Sequence, residues 1–168
     1  MSKNNYRRNI GSISRGTDPR DLIPDFIWEL GQMKPLHREH SILISQIERR
    51  MVSCRCEVPC EGRTLRENSE LHEGQYWDSD DPAIDLDLLS NALGEYCLPY
   101  FYFGEYDGEY GFWISIPSLN CDFDGLRVED LSEVPTGYTG EVLHINDHGN
   151  VSLYSYSRGK VREIWAVV

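Results

Sequence analysis

The stretch that most constrains this chain is Pro99 to Ile116, PYFYFGEYDGEYGFWISI, its densest run of aromatic residues. Aromatic side chains suit a pleated, half-buried surface. Asp107-Gly108 is the dipeptide that a two-residue type I′ turn asks for, because both central positions need φ > 0. The run therefore predicts a β-hairpin. The text nearly repeats around the turn, Gly104-Glu-Tyr-Asp107 and then Gly108-Glu-Tyr-Gly111. One face of such a hairpin belongs to a core, and its rim carries Glu105, Asp107 and Glu109 with Tyr106 and Tyr110 at the tip.

What precedes the hairpin reads as helical. Residues 1–16 carry Lys3, Arg7, Arg8 and Arg15 without periodicity and read as a flexible basic arm. Thr17 or Asp18 can cap a first helix, Pro19 suits its first turn, and Leu22, Ile23, Phe26, Ile27 and Leu30 make one apolar stripe. Gly31 and Pro35 end it. A second helical pattern runs from Leu36 to Met51, with Leu36, Leu43, Ile44, Ile47 and Met51 inside. From residue 52 to 81 the pattern dissolves into an irregular loop. Asp80, Asp81 and Pro82 then open a third helix carried by Ile84, Leu88, Leu89, Ala92, Leu93 and Tyr96.

After the hairpin, an acidic stretch from Ser118 to Gly137 contains a short helix around Val128 to Ser132. Three strand-like runs follow, Glu141 to Asn146, Val151 to Ser157 and Val161 to Val167, separated by turn compositions. Joined to the hairpin they predict an antiparallel sheet of about five strands. The expected fold class is α+β, with N-terminal helices (17–98) packed on a C-terminal sheet part (99–168). At 168 residues the chain fits a single domain, 1–168.

No apolar run approaches the roughly 18 residues of a membrane span, and no apolar segment follows the basic N-terminus. Five cysteines, an odd number, read as reduced thiols in a cytoplasm. The net charge is -12, and it is unevenly distributed. Met1 to Arg66 holds 12 Lys+Arg against 8 Asp+Glu, whereas Glu67 to Val168 holds 4 against 20. The C-terminal two thirds should therefore repel nucleic acid and membrane phosphate and attract a basic partner surface.

Three groups of residues are candidates for chemistry. Cys54, Cys56 and Cys60, with His72 or Cys97 as a fourth ligand, offer a zinc site, although the second cysteine pair of common structural sites is missing. Asn120, Asp122, Asp124 and Gly125 resemble the opening of a calcium loop, but its twelfth position is Leu131 where a glutamate belongs. His144, Asp147 and His148 combine groups suited to acid-base work, with no recognisable nucleophile motif beside them. Gly104, Gly108 and Gly111 occupy hairpin positions and form no phosphate loop. No catalytic or cofactor site is therefore expected. Instead, the carboxylates at the hairpin tip and at the third helix, Asp78, Asp80, Asp81, Asp85 and Asp87, suit a basic partner. Carboxylates pair bidentately with arginine, and tyrosines supply contact area at low entropic cost.

Three segments carry a resemblance. They are Gly16-Thr17 through Asp21-Leu22-Ile23-Pro24 and Phe26; Tyr100 to Gly104 with Gly111-Phe112-Trp113; and Ile145 through Tyr154 with Glu163-Ile164-Trp165. In them the chain resembles small uncharacterised accessory proteins encoded in bacteriophage and prophage genomes, over about a third of its length. The resemblance implies no fold, activity or site residue. Its implication is a phage accessory protein, and many of those bind and disable a host protein. The sequence expectation is thus a non-enzymatic acidic inhibitor acting in the host bacterial cytoplasm on an anti-defence target (anti-CRISPR or anti-restriction) or a nucleic-acid-handling protein, in the strongest form by DNA mimicry. The alternatives are a small hydrolase-like enzyme using His144, Asp147 and His148, and a zinc-stapled regulatory module.

Overall fold

Asp18 starts the first helix as its sequence requires: its carboxylate accepts the Arg20 N–H at 2.9 Å, and Pro19 takes the first helical position. In the computed structural model, which describes residues 11–52 and 76–167, helix α1 (Pro19–Gly31) follows this cap, with Pro24 inside it. Among the described residues, helix α2 (Arg38–Val52) and helix α3 (Asp81–Gly94) join it in the helical layer. Leu22, Ile23, Phe26 and Leu30 of α1 are fully buried, as are Ile47 of α2 and Leu89 and Leu93 of α3. The three- and four-residue spacing of α1 is thereby converted into one core, in which each such side chain contributes roughly 1.5–3 kcal/mol. The α3 stripe is narrower than its apolar residues suggest, since Ile84 and Leu88 are exposed.

The hairpin forms where the aromatic run places it. Strand β2 (Phe101–Tyr106) and strand β3 (Glu109–Ile114) flank a two-residue turn in which Asp107 has φ 52° and Gly108 φ 77°. Both are the positive values of a type I′ turn. Strand β1 (Gly11–Arg15) pairs antiparallel with β3, giving a three-stranded sheet in the order β1-β3-β2. Residues 11–15 are therefore ordered, against the expectation of an arm extending to residue 16. Ile13 packs on the core and Ser14 is buried. The register shifts between Ser12 and Ser14, a bulge that absorbs one residue. Gly111 admits β1: a Cβ there would lie 2.3 Å from the Gly11 carbonyl oxygen.

These elements lie in the first of two compact units, which reaches to Trp113; the second runs from Ile114 onward. In the second unit a short helix, α4 (Ile116–Cys121), precedes strand β4 (Leu126–Val128), a 3₁₀ turn (Leu131–Glu133), and strands β5 (Gly140–Ile145), β6 (Val151–Ser157) and β7 (Lys160–Val167). The sheet order is β4-β5-β6-β7. Strand β4 runs parallel to β5, and the other pairs are antiparallel. The α+β class, with helices mostly early and strands mostly late, is the one expected. The strands are nevertheless shared between two sheets, because β1 and β4, both read as irregular, supply the missing neighbours. Val142 and Leu143 are consecutive and both fully buried. This is the mark of a central strand covered on both faces rather than the one-sided alternation of an exposed sheet. Among the described residues no helix is long and apolar enough to cross a membrane.

Candidate functional site

The hairpin divides its aromatic residues between two faces, and period-two alternation decides which goes where. Phe103 meets Phe26 of α1 at a ring-centroid distance of 5.0 Å and Phe112 at the same 5.0 Å, while Tyr110 meets Phe26 at 5.4 Å. Tyr110, expected at the tip, thus serves the core. The opposite face presents Tyr102 and Tyr106, both exposed, with Trp113 beside them. Tyr106 lies 5.5 Å from the Trp113 ring, and Trp113 Nε1–H donates to the Gly104 carbonyl at 2.9 Å. The Tyr102 ring covers Gly104, where a Cβ would meet it at 3.3 Å. Asp107 is exposed in the turn next to this aromatic face, whereas Glu105, exposed as well, alternates with Phe103 and takes the other face at the end of β2. Glu109 is paired with Arg15, Nε to Oε1 2.8 Å, so its charge is already partly answered within the chain.

At α3 the structure separates the aspartates. Asp78, Asp80 and Asp87 are exposed and Asp81 is half-buried. Asp85, read as part of the same surface, is 2% exposed and belongs to the interior. Its carboxylate accepts both from Arg50 of α2, with Nε to Oδ2 at 3.1 Å and Nη2 to Oδ1, and from Tyr76 Oη at 2.9 Å. A buried carboxylate survives only with such partners, and here they fasten the end of α2 to the start of α3.

His144, Asp147 and His148 do not form a site together. The imidazole of His144 lies with Nε2 3.1 Å from the Glu129 carbonyl oxygen, which ties β5 to the segment after β4. Asp147 and His148 sit in the turn after β5 with side chains 85% and 80% exposed, and their nearest polar atoms are 3.6 Å apart. Asp147 helps line an open cleft of about 520 Å³ together with Arg127, Glu129, Glu133 and Asn146. Asp122 and Asp124 are exposed around the turn that follows α4. Cys54, Cys56, Cys60 and His72 lie outside the described residues.

The grouping that sequence reading missed is at the other end of α2. The His37 carbonyl accepts the Ser41 N–H at 3.1 Å, which makes His37 the residue that opens the helix. His40 then falls one turn on, the two rings stacked at 5.2 Å. Glu95, just past the end of α3, brings Oε2 to 3.6 Å from His37 Nδ1 and 3.5 Å from His40 Nε2. Glu39 Oε1 lies 3.8 Å from His37 Nδ1. Behind them stands Tyr96, 1% exposed, whose hydroxyl accepts the His37 backbone N–H at 3.0 Å and lies 3.0 Å from His40 Nδ1. The visible signal was the spacing His37-Arg38-Glu39-His40 at a helix start. Glu95 is distant in sequence, and only the packing of α2 against α3 supplies it.

Burial shifts three acids of this unit. It pushes the Tyr96 phenol up, opposed by the His37 N–H and aided by the charges of Glu95 and Glu39. It also pushes Tyr76 up, with the hydrogen bond to Asp85 and that carboxylate's charge adding to the rise, and it lifts the Cys97 thiol from 9.0 to about 12. Once unfolded, the thiol ionises near 9 and the phenols near 10, before their folded counterparts. The unfolded chain thus binds fewer protons above pH 9, and stability falls as pH rises. Urea midpoints are expected to be insensitive to these groups below pH 9 and to decline from there toward pH 12. Tyr76→Phe together with Cys97→Ala should flatten the decline, and an unchanged alkaline slope would contradict the assignment.

No protein-family model matches the chain, and neither a curated protein nor a solved structure does.

Proposed function

We propose that this chain is an acidic, non-enzymatic binding protein that engages a basic surface of a partner protein through the hairpin. The observation that carries the reading is the solvent-facing side of the hairpin, where Tyr102 and Tyr106 are 37% and 61% exposed, with the exposed carboxylates of Glu105 and Asp107 at the tip of the same hairpin. Aromatic side chains locked by cross-strand contacts, rimmed by carboxylates, make the kind of patch that arginine-rich surfaces recognise. The core side is filled by Phe103, Phe112 and Tyr110, which leaves those rings to the solvent side.

The sequence resemblance extends the reading to a phage-encoded inhibitor working in the host bacterial cytoplasm. Its target would be a defence or nucleic-acid-handling protein, whose own basic surface normally meets phosphate. The exposed carboxylates Asp78, Asp80 and Asp87 provide further negative charge for such a target. Direct binding of nucleic acid by so acidic a chain is disfavoured.

The test compares the wild-type chain with a Glu105→Lys, Asp107→Lys, Tyr106→Ala variant as bait in host lysate, over a salt series. A specific partner is expected to be captured at low salt, to be lost progressively as salt rises, and to bind the variant at least about 100-fold more weakly. Equal capture by both baits, or none by either at low salt, would refute the proposal.

A further inference from the structure

Among the described residues one set of metal-ligating side chains converges, His37, Glu39, His40 and Glu95, with one ligand atom from each lying within 4.8 Å of all the others. The spacings within it are those of loose ion pairs. At 3.5, 3.6 and 3.8 Å the nitrogen-oxygen distances are too long for good hydrogen bonds. They are close to the edge of a tetrahedron drawn about a metal ion. With ligand bonds of 2.0–2.1 Å that edge is about 3.3 Å, so the three nearest edges need shifts of only a few tenths of an ångström, and the remaining ones, none longer than 4.8 Å, close by rotation of the exposed glutamate side chains. We infer that His37 Nδ1, His40 Nε2 and Glu95 Oε2, with Glu39 Oε1 as the fourth donor, bind one Zn²⁺ ion between the start of α2 and the end of α3.

Three features favour a built site over a chance meeting of polar groups. His40 is 5% exposed, so its ring is held by packing before any ion arrives. Its other nitrogen, Nδ1, is 3.0 Å from the Tyr96 hydroxyl. With that nitrogen protonated and donating to the tyrosine, the lone pair of Nε2 is directed at Glu95, the outer-shell arrangement that zinc histidines use. The same hydroxyl accepts the His37 N–H, so one buried tyrosine positions both histidines. The donor set, two imidazoles and two carboxylates, suits zinc and its borderline neighbours rather than calcium or magnesium, which take oxygen ligands alone. Glu39, with a side chain 75% exposed, is the most easily replaced ligand, and water can take its position.

The ion would cross-link two helices far apart in sequence, and binding to the folded chain alone adds directly to stability. The site shares no residue with the hairpin patch and does not depend on the binding proposal. Its test uses the untagged full-length chain with thiols kept reduced, titrated with Zn²⁺ in a calorimeter and with Co²⁺ in a spectrophotometer. One equivalent of Zn²⁺ is expected to bind and raise the melting temperature, and the site's Co²⁺ spectrum should lack a sulfur-to-cobalt charge-transfer band. His37→Gln and Glu95→Gln change partly exposed side chains and should leave the metal-free melting temperature in place while weakening binding about 100-fold or more. Tyr96→Phe should weaken it about 10–100-fold. Because Cys54, Cys56 and Cys60 are also potential ligands, their triple serine variant is included and is expected to retain the site. Absence of binding to the wild type, affinity unchanged in both glutamine variants, or loss of binding in the serine variant alone would each overturn the inference.

Discussion

Asp85→Ala is expected to destabilise the unit ending at Trp113 by about 3 kcal/mol, among the largest effects of any single change outside the apolar core. The substitution leaves the Arg50 guanidinium and the Tyr76 hydroxyl without the carboxylate they share. A fully buried pair broken in this way costs about 3–5 kcal/mol; the lower end applies here because the Arg50 side chain is 37% exposed and can regain water. Tyr76, at 5% exposed, has less recourse, and its unmet buried hydroxyl, about 1–3 kcal/mol by itself, is part of that cost and keeps it from falling below this lower end. Urea unfolding followed by hydrogen exchange across residues 11–52 and 76–113 would locate the loss. Replacing the three together, Asp85→Leu, Arg50→Met and Tyr76→Phe, should recover most of it, since no polar group is then stranded. A cost below about 1 kcal/mol for Asp85→Ala would show that α2 and α3 are held by their apolar contacts alone.

Phe26→Ala is the second large effect, expected at about 3–5 kcal/mol. Its ring is fully buried and touches Phe103 of β2 and Tyr110 of β3. Truncation opens a cavity between α1 and the hairpin that neither can close without giving up its own contacts. Loosening of β2 and β3 should follow, seen as faster amide exchange on residues 101–113. Phe26→Leu fills most of the space and should cost less. Exchange in the hairpin that stays at wild-type rates in Phe26→Ala would mean that the sheet is stable without its helix.

Much of the fold is legible because it follows from local chemistry. Asp18-Pro19 fixes a helix start whatever packs above it, and Asp107-Gly108 fixes a turn. Lys160 to Val167 and Val151 to Ser157 are strands because their composition and the turn between them leave little else. β1 and β4 were not legible. Gly11 to Arg15 offers one apolar residue, and Leu126 to Val128 is three residues long; each is a strand only because a partner edge was available to it. The candidate sites divide in the same way. The carboxylates and tyrosines of the hairpin were visible as a group, but the sides taken by Tyr106 and Tyr110 depended on where α1 came to lie.

The sequence by itself determined the starts of α1 and α3, the turns, the α+β class and the acidic character, all set by interactions over a few residues or by composition. The short helix expected around Val128 to Ser132 is instead the end of β4 and a 3₁₀ turn, and α4 precedes them. Tertiary structure alone decided which polar residues are on the surface and which are structural. Asp85 looks like its neighbours Asp81 and Asp87, and only the approach of Arg50 and Tyr76 turns it inward. His37 and His40 are only two histidines one helical turn apart until Glu95 and Tyr96 arrive from just past the end of α3. A charge takes its meaning from what lies within a few ångströms of it, and for these residues those neighbours lie nine to several tens of positions away in the chain.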